Sequence, residues 1–223
     1  MTIDDLLWGR MPRPTRGPKQ GLDLERVITV AAGIADRDGL AALTMNRLAK
    51  ELGVGAASLY TYLPGKAALE ALMIDWMVGA SPLPHTLPGG WRERLEACAR
   101  ADWDDYRAHP WTLQVAVSQV APGPNLTAWF ESALSVLDGT GLTEAEKVDV
   151  VEALDAYVRG MARSALDQPV TRDDPPEEAA AVYPALVRAA RAGALAHRAT
   201  ETFEFGLARL LDGIEALIAG RRR

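Results

Sequence analysis

Residues 43–69 read LTMNRLAKELGVGAASLYTYLPGKAAL and contain two short apolar-periodic segments separated by a glycine. Thr44 occupies the N-cap position of a first helix that buries Leu48. Gly53 supplies a turn with positive φ, and the second segment follows with Leu59 on its inner side. This spacing predicts a helix–turn–helix, in which a small residue turns the chain and apolar side chains brace the two helices.

The side chains that this pair leaves unburied are suited to duplex DNA. Alanine methyls at the front of a recognition helix allow close approach to base edges and contact with thymine methyls. Hydroxyl groups, and a lysine at a helix N-terminus, suit phosphate oxygens. The side chains predicted to project from the pair are Ala56, Ser58, Tyr60, Thr61 and Tyr62, and the lysine at the next helix N-terminus is Lys66. The alternative, on spacing alone, is three packed short helices without a DNA-binding role.

Residues 1–22, upstream of this unit, are predicted to form a flexible basic arm. Within them, residues 8–22 carry four cations, three prolines and no acid, a composition that cannot hold a helix. Arg13 and Arg16 are candidate anchors to the minor groove or the DNA backbone. The alternative interpretation is an ordinary solubilising tail.

The rest of the chain is predicted to be helical, because no segment shows sustained strand alternation. Asp23 is the expected N-cap of a helix that ends at Gly39. The breaker run SPLPHTLPGG separates a DNA-binding domain at 23–80 from a larger helical domain at 81–223. Helical patterns in the larger domain cover 91–108, 111–120, 126–138, 143–167, 184–192 and 200–219, and an acidic, proline-rich mobile loop is expected at 167–178.

Composition narrows the class of protein. The 223 residues include 24 Lys+Arg, 30 Asp+Glu and a single Cys, which excludes a disulfide scaffold and favours the reducing cytoplasm. The longest stretch without charged residues, 108–130, carries prolines and amides that a bilayer span would not tolerate, so no membrane partner is expected. Residues 8–66 carry a net charge of +4 and residues 67–223 a net charge of −8, so only the amino-terminal part suits phosphate. Three scattered histidines and the absence of nucleotide-binding or nucleophile motifs predict no metal, no cofactor and no enzyme. Acidic pairs such as Asp104–Asp105 are interpreted as solvated charge.

The helix–turn–helix residues, with a preceding helix and a Gly39–Leu40 step, resemble the DNA-binding domain of the TetR family of bacterial transcriptional regulators. The resemblance covers residues 22–80 approximately and implies a homodimer on a palindromic operator, usually as a repressor. By position it implies base contacts from Asn46, Ala56 and Ala57, and DNA-backbone contacts from Thr44, Ser58, Tyr60, Tyr62 and Lys66, with Tyr60 also near a base. The tetracycline repressors have arginine at the position of Asn46 and glutamine at that of Ala56, so their operator preference is not expected here.

Two long helical segments of the second domain carry glycines on apolar stripes. A glycine within a helix costs about 1 kcal/mol relative to alanine, which suggests close approach of another helix. The phrases FEFGLARLLDGIEAL and YVRGMA resemble TetR relatives with a tetracycline-repressor-type C-terminal domain, which implies a four-helix bundle between two subunits. The alternative is packing of the same helices within one chain. The predicted interface residues are Leu154, Val158, Met161, Gly206, Leu210, Gly213 and Leu217.

Aromatic side chains and amides concentrate between the breaker run and those helices. A largely apolar cavity with a few converging polar groups is what a small-molecule effector requires. The alternative is a tryptophan-rich core with satisfied amides. The predicted ligand-binding residues are Trp103, Tyr106, Trp111, Gln114, Asn125, Trp129, Phe130 and Tyr157. The tetracycline repressors use a histidine in the segment matching 111–120, and this chain has none there, so magnesium–tetracycline is not the expected ligand.

These features together predict a homodimeric, ligand-responsive repressor. A ligand among the helices at 91–138 would move the fourth helix, at 66–79, and change the separation of the recognition helices from about 34–36 Å, one duplex turn. A second hypothesis is an all-α small-molecule-binding protein whose helix–turn–helix no longer binds DNA.

Overall fold

A computed structural model describes residues 2–10, 23–115, 121–166, 179–196 and 198–221. In these ranges the chain contains helices and loops and no strand, which confirms the predicted all-α fold. The α-helices are α1 (Ile3–Leu7), α2 (Leu24–Asp38), α3 (Met45–Leu52), α4 (Ala56–Tyr62), α5 (Lys66–Val78), α6 (Trp91–Ala108), α7 (Pro124–Val136), α8 (Glu144–Leu166), α9 (Ala179–Val182), α10 (Pro184–Arg191) and α11 (Ala199–Arg221). Short 3-10 helices cover Leu40–Ala42, Pro84–Thr86 and Pro110–Gln114.

The helices α2 to α5 share one apolar core. The carboxylate of Asp23 accepts the backbone N–H of Glu25 at 3.2 Å and caps α2, as predicted. Gly39 ends α2 with a φ of +83°, also as predicted. One residue from each helix illustrates the depth of the core, since all are fully buried: Ile34, Leu48, Leu59 and Leu69.

The first residues differ from the predicted arm. Ile3–Leu7 form α1, and the hydroxyl of Thr2 caps it by accepting a backbone N–H from its first turn. Leu6 and Leu7 are buried in the amino-terminal core, where α1 packs against α5. The expectation of a flexible arm is therefore wrong for residues 3–7, because two adjacent leucines outweigh the composition of the segment that follows.

A second core joins α6, α7, α8 and α11. The rings of Trp103 and Phe203 stack within it, with centroids 4.3 Å apart. Leu154 and Val158 of α8 are buried there with Leu207 of α11. The predicted domain boundary at residue 80 stays a prediction. Two side chains from beyond it, Trp111 and Val115, are buried in the amino-terminal core.

That crossing occurs at the segment predicted as a helix over 111–120. Its first part is the 3-10 helix Pro110–Gln114, and residues 116–120 lie outside the described ranges. Trp111 is buried in the amino-terminal core, and its indole N–H donates to Asp36 of α2 at 2.7 Å. Nδ1 of His109 lies 2.8 Å from the same carboxylate oxygen. The other predicted helices begin and end within two residues of the observed ones, and the loop predicted at 167–178 also lies outside the described ranges.

Candidate DNA-binding surface and ligand cavity

The helix–turn–helix forms as its sequence predicts. The hydroxyl of Thr44 accepts the backbone N–H of Arg47 at 3.2 Å and caps α3. Gly53 adopts the left-handed conformation, with φ +72° and ψ +28°, and turns the chain toward α4. Leu48 and Leu59 are fully buried between the helices. The two helices are therefore held by their apolar sides, which leaves their polar sides to solvent.

The predicted DNA-contacting residues differ in their exposure. Tyr60 is 53% exposed, the largest exposed side chain of α4. Thr61 donates its hydroxyl to the carbonyl of Ala57 at 3.2 Å, within α4. The exposed members of the predicted set are Thr44, Asn46, Ala57, Ser58, Tyr60 and Thr61, whereas Ala56, Tyr62 and Lys66 are half-buried. Arg13 and Arg16 lie outside the described residues.

Lys66 has a structural contact that the sequence did not reveal. Its ammonium donates to the carbonyl of Leu40 at 3.1 Å and lies 3.7 Å from the carboxylate of Glu70. The contact ties the N-terminus of α5 to the 3-10 helix after α2. Arg47 similarly pairs with Asp38 of α2, which fixes α3 against α2. Both cations stabilise the frame of the helix–turn–helix as well as adding positive charge to it.

A cavity of about 1020 Å³ lies between α5, α6, α7, α8 and the 3-10 helix at Pro110–Gln114. Three predicted ligand-binding residues line it, namely Tyr106, Trp129 and Phe130. The remaining walls come from Ile74, Met77, Val78, Ser81, Asp102, Asp105, Thr112, Leu113, Val115, Pro122, Leu126, Thr127, Glu131, Val151, Glu152, Asp155 and Arg159.

The other five predicted ligand-binding residues do not line this cavity. Trp103 stacks on Phe203, and Trp111 is buried against α2. Gln114 is exposed to solvent, and the side-chain amide of Asn125 donates to the carbonyl of Asp75 at 3.1 Å. Tyr157 is held at the crossing of α8 with α11, where its hydroxyl donates to the carbonyl of Phe203 at 2.8 Å. Apart from the exposed Gln114, these side chains serve packing between helices, a role that residue type alone does not distinguish from ligand binding.

Charged residues of the cavity were missed by sequence reasoning. Asp105, interpreted above as solvated charge, lines the wall and accepts the hydroxyl of Ser81 at 3.0 Å. Asp102, Asp105 and Tyr106 are spaced i, i+3 and i+4 on α6, so they share one helix face. This spacing could have identified the two aspartates as cavity residues, because polar side chains on the same helix face as a buried aromatic residue are directed to the same side.

A hydrogen-bonded network joins α6 to α8 beside the cavity. The hydroxyl of Tyr106 donates to Asp155 at 3.2 Å, and the guanidinium of Arg159 donates to the Tyr106 hydroxyl at 2.9 Å. Burial, with the nearby charge of Asp155, raises the pKa of Tyr106 above its ordinary value, so its hydroxyl stays protonated. Burial, followed by the charges of Asp155 and Asp105, raises the pKa of Asp102 to about 7, against a partial lowering by Arg159.

Cys98, near Asp102 on α6, is buried, and burial raises the pKa of its thiol to about 12. A thiol that stays protonated is a poor nucleophile. Among the described residues, no group of three or more His, Cys, Asp or Glu side chains is arranged to hold a metal ion. None of the described helices is both long and apolar enough to cross a membrane.

The predicted interface residues divide into three sets. Leu154 and Val158 are buried within the chain, and a Cβ on Gly206 would lie 2.2 Å from the hydroxyl of Tyr157. For these three the alternative of packing within one chain holds. Leu217 is 40% exposed, and a Cβ on Gly213 would meet open space. Met161 and Leu210 are half-buried.

Comparison with known protein families gives two matches on this chain. A family model described as "Bacterial regulatory proteins, tetR family" matches residues 27–71, which include α3 and α4. A second, described as "Tetracyclin repressor-like, C-terminal domain", matches residues 83–218, which include most of the cavity wall.

Individual proteins are similar over nearly the whole chain. The HTH-type transcriptional repressor DrrR1 of Streptomyces coeruleorubidus is 42% identical over 233 residues, covering 98% of this chain and 86% of DrrR1. The crystal structure of apo ActR from Streptomyces coelicolor matches with a TM-score of 0.79 at 28% identity, covering 91% of this chain and 97% of ActR. ActR in complex with actinorhodin matches with a TM-score of 0.77 at 27% identity, covering 89% of this chain and 99% of that one.

Proposed function

This chain belongs to the TetR family of bacterial transcriptional regulators, and on that premise we propose that it is a homodimeric repressor released from its operator by a small molecule. The repressor DrrR1, similar over nearly the whole chain, supports repression as the direction of control. The structure of ActR with actinorhodin supports a small-molecule effector, because the two folds match over the domain that holds the cavity. The operator contacts come from α3 and α4, through Asn46, Ala57, Ser58 and Tyr60.

The observation that carries the proposal is that the cavity reaches the helix next to the recognition helix. Ile74, Met77 and Val78 of α5 form part of its wall. α5 follows α4 after a break of three residues, and Leu59 of α4 and Leu69 of α5 belong to the same core. A ligand that displaces α5 therefore also displaces α4.

A direct contact between α5 and α7 would transmit a movement of α7 to α5. Asp75 is buried on α5, and its carboxylate accepts the backbone N–H of Leu126, at the start of α7, at 2.9 Å. A Cβ on Gly123 would lie 2.3 Å from that carboxyl group, so the loop before α7 touches α5 directly. Because α7 also carries Trp129 and Phe130 into the cavity, a ligand between them pushes on both sides of this junction.

Release of DNA follows from a shift between two populations of the dimer. A ligand lowers operator affinity only if it binds more tightly to the conformation whose recognition helices do not fit successive major grooves. The predicted movement of α5 by a ligand in the second domain supplies such a difference in shape. The required dimer places the exposed side of α11, with Gly213 and Leu217, against the partner subunit.

The DNA-binding role is tested by substituting exposed residues that have no part in the core. Asn46→Ala and Tyr60→Ala are each expected to lower affinity for the upstream region of the protein's own gene by about tenfold, since one good contact to DNA contributes 1–3 kcal/mol approximately. Tyr183→Ala is the matched control, because Tyr183 is 59% exposed on the segment before α10. Affinity is measured by gel shift at several salt concentrations.

The second hypothesis, a ligand-binding protein that no longer binds DNA, predicts a different result. In that case Tyr60→Ala and Tyr183→Ala leave the same weak, sequence-independent binding as the unmodified protein. Equal affinities for the three proteins on the upstream fragment would therefore refute the repressor proposal.

A further inference from the structure

The cavity carries an excess of negative charge. Its charged lining consists of five carboxylates and one guanidinium: Asp102, Asp105, Glu131, Glu152, Asp155 and Arg159. No lysine or histidine belongs to the lining in the described part of the chain. Glu131 and Glu152 are exposed at the rim, whereas the aspartates lie deeper. A ligand that enters therefore passes through, and comes to rest in, a region of negative potential.

Arg159, the one cation that the described residues contribute to the wall, already has partners within the chain. Arg159 lies 3.4 Å from the carboxylate of Asp155, donates to the Tyr106 hydroxyl, and has its guanidinium 5.1 Å from the centre of the Tyr106 ring. Asp105 has only the neutral hydroxyl of Ser81 as a partner among the described residues. The internal ion pair thus offsets one carboxylate and leaves the others uncompensated.

Asp102 differs from Asp105 and Asp155 in lacking a hydrogen-bonding partner among the described residues. Its side chain is half-buried in the cavity wall on α6, and within the described ranges its carboxylate accepts no hydrogen bond and pairs with no cation. A carboxyl that is withdrawn from bulk water without a partner is costly in its charged form, as the raised pKa of Asp102 indicates. The wall therefore holds an acceptor whose partner is not supplied by the chain.

We propose that the cavity selects an organic cation with an extended apolar ring system, whose positive group pairs with Asp102. Trp129 and Phe130 offer aromatic surface to both the rings and the charge, since a cation is attracted to an aromatic face within about 6 Å. The volume of about 1020 Å³ is at the upper end for ligand pockets and suits a molecule of several fused rings. This inference rests on the proposed function, because it names the class of effector for the same cavity.

Two dyes that share a xanthene ring system and differ in charge test the selectivity. Rhodamine 6G is a permanent cation, and fluorescein is an anion at pH 8. Binding of each dye to the DNA-free protein is measured by fluorescence anisotropy. Rhodamine 6G is expected to bind at least tenfold more tightly than fluorescein. Equal affinities, or tighter binding of fluorescein, would overturn the proposal without any variant being needed.

The role of Asp102 is tested by Asp102→Asn, which removes the charge and keeps the shape of the side chain. We expect this substitution to lower the affinity for rhodamine 6G by at least tenfold and to leave fluorescein binding equal or tighter. Asp104→Asn is the matched control, because Asp104 is exposed on the same helix and does not line the cavity. Equal losses of rhodamine 6G affinity in the two variants would show that Asp102 is not the partner of the cation.

Failure of this inference and failure of the repressor proposal give different results. Selective, Asp102-dependent binding of rhodamine 6G that leaves operator affinity unchanged at saturation supports the cation site and contradicts release of DNA by its ligand. Release of the operator by fluorescein, with no binding of rhodamine 6G, supports ligand-responsive repression and overturns the cation site.

Discussion

Asp102 shows how a single carboxyl group connects folding with pH. Its pKa is raised from 3.8 to about 7 by burial, and then by Asp155 and Asp105, while Arg159 opposes the shift. Glu131, Glu152 and Tyr106 line the same cavity, and the protonated thiol of Cys98 lies one turn away on α6. Since the folded protein holds this proton more tightly than the unfolded chain, the charged form opposes folding.

The stability of the protein should therefore fall as pH rises from about 4 to about 7 because of this one group. Asp102→Asn removes that dependence. The difference in unfolding free energy between the variant and the unmodified protein is therefore expected to shift by about 2–4 kcal/mol in favour of the variant as pH rises from 5 to 8. Urea denaturation at several pH values, with Asp104→Asn as the control, measures the difference. A constant difference across this range would contradict the raised pKa.

Gly53 is a second single residue that affects stability. It adopts a left-handed backbone conformation, which a residue with a Cβ adopts less readily. A methyl group there meets open space, so only the backbone conformation resists the substitution. Gly53→Ala is expected to lower the unfolding free energy by about 1 kcal/mol. Gly33→Ala is the control, because Gly33 lies inside α2 with ordinary space for a Cβ, and it should raise stability by about 0.5 kcal/mol. Thermal denaturation that gave the same sign for both would refute this account.

At the scale of elements, the crossing of α8 with α11 depends on a small residue. Gly206 lies under Tyr157, whose hydroxyl donates to the carbonyl of Phe203. The helices approach closely within one chain, which is the opposite of the predicted use of this glycine between subunits. The aromatic ring and the glycine are therefore one packing unit.

Gly206→Ala is expected to lower the unfolding free energy by about 1–3 kcal/mol, because the new methyl group displaces the Tyr157 ring. In a Tyr157→Leu background the same substitution should cost less, since the obstructing hydroxyl and ring are gone. Denaturation of the four proteins at one fixed concentration gives the coupling energy. Additive effects would mean that the two side chains do not meet.

At the scale of the whole molecule, the proposed dimer depends on the exposed side of α11. Phe205 is 66% exposed and Leu217 is 40% exposed in the isolated chain, with Gly213 between them. We propose that this side of α11 is covered by the partner subunit, as exposed apolar surface often is in oligomers.

Leu217→Arg is expected to give a monomer at micromolar concentration and to weaken operator binding by at least 100-fold, because the second half-site is no longer engaged by a linked domain. Leu217→Met, which keeps the apolar surface, should remain a dimer. Sedimentation velocity and gel shift measure the two properties. A dimer of Leu217→Arg with unchanged operator affinity would show that the interface lies elsewhere.

Local features were determined by the sequence alone, because they need only neighbours along the chain. The cap at Thr44, the turn at Gly53 and the apolar periodicity of α3 and α4 predicted the helix–turn–helix, and the caps and breakers placed most other helices within two residues. Tertiary structure decided which face of each helix lies inward. Leu210 and Leu217 of α11, predicted to meet the partner subunit, are half-buried and exposed, whereas their neighbours Leu211 and Ile218 are buried, because the adjacent helices set the rotation of α11. It likewise brought Asp102 of α6, Glu131 of α7 and Asp155 of α8 to one cavity and took Trp111 out of it, since residues far apart in sequence meet only when helices pack.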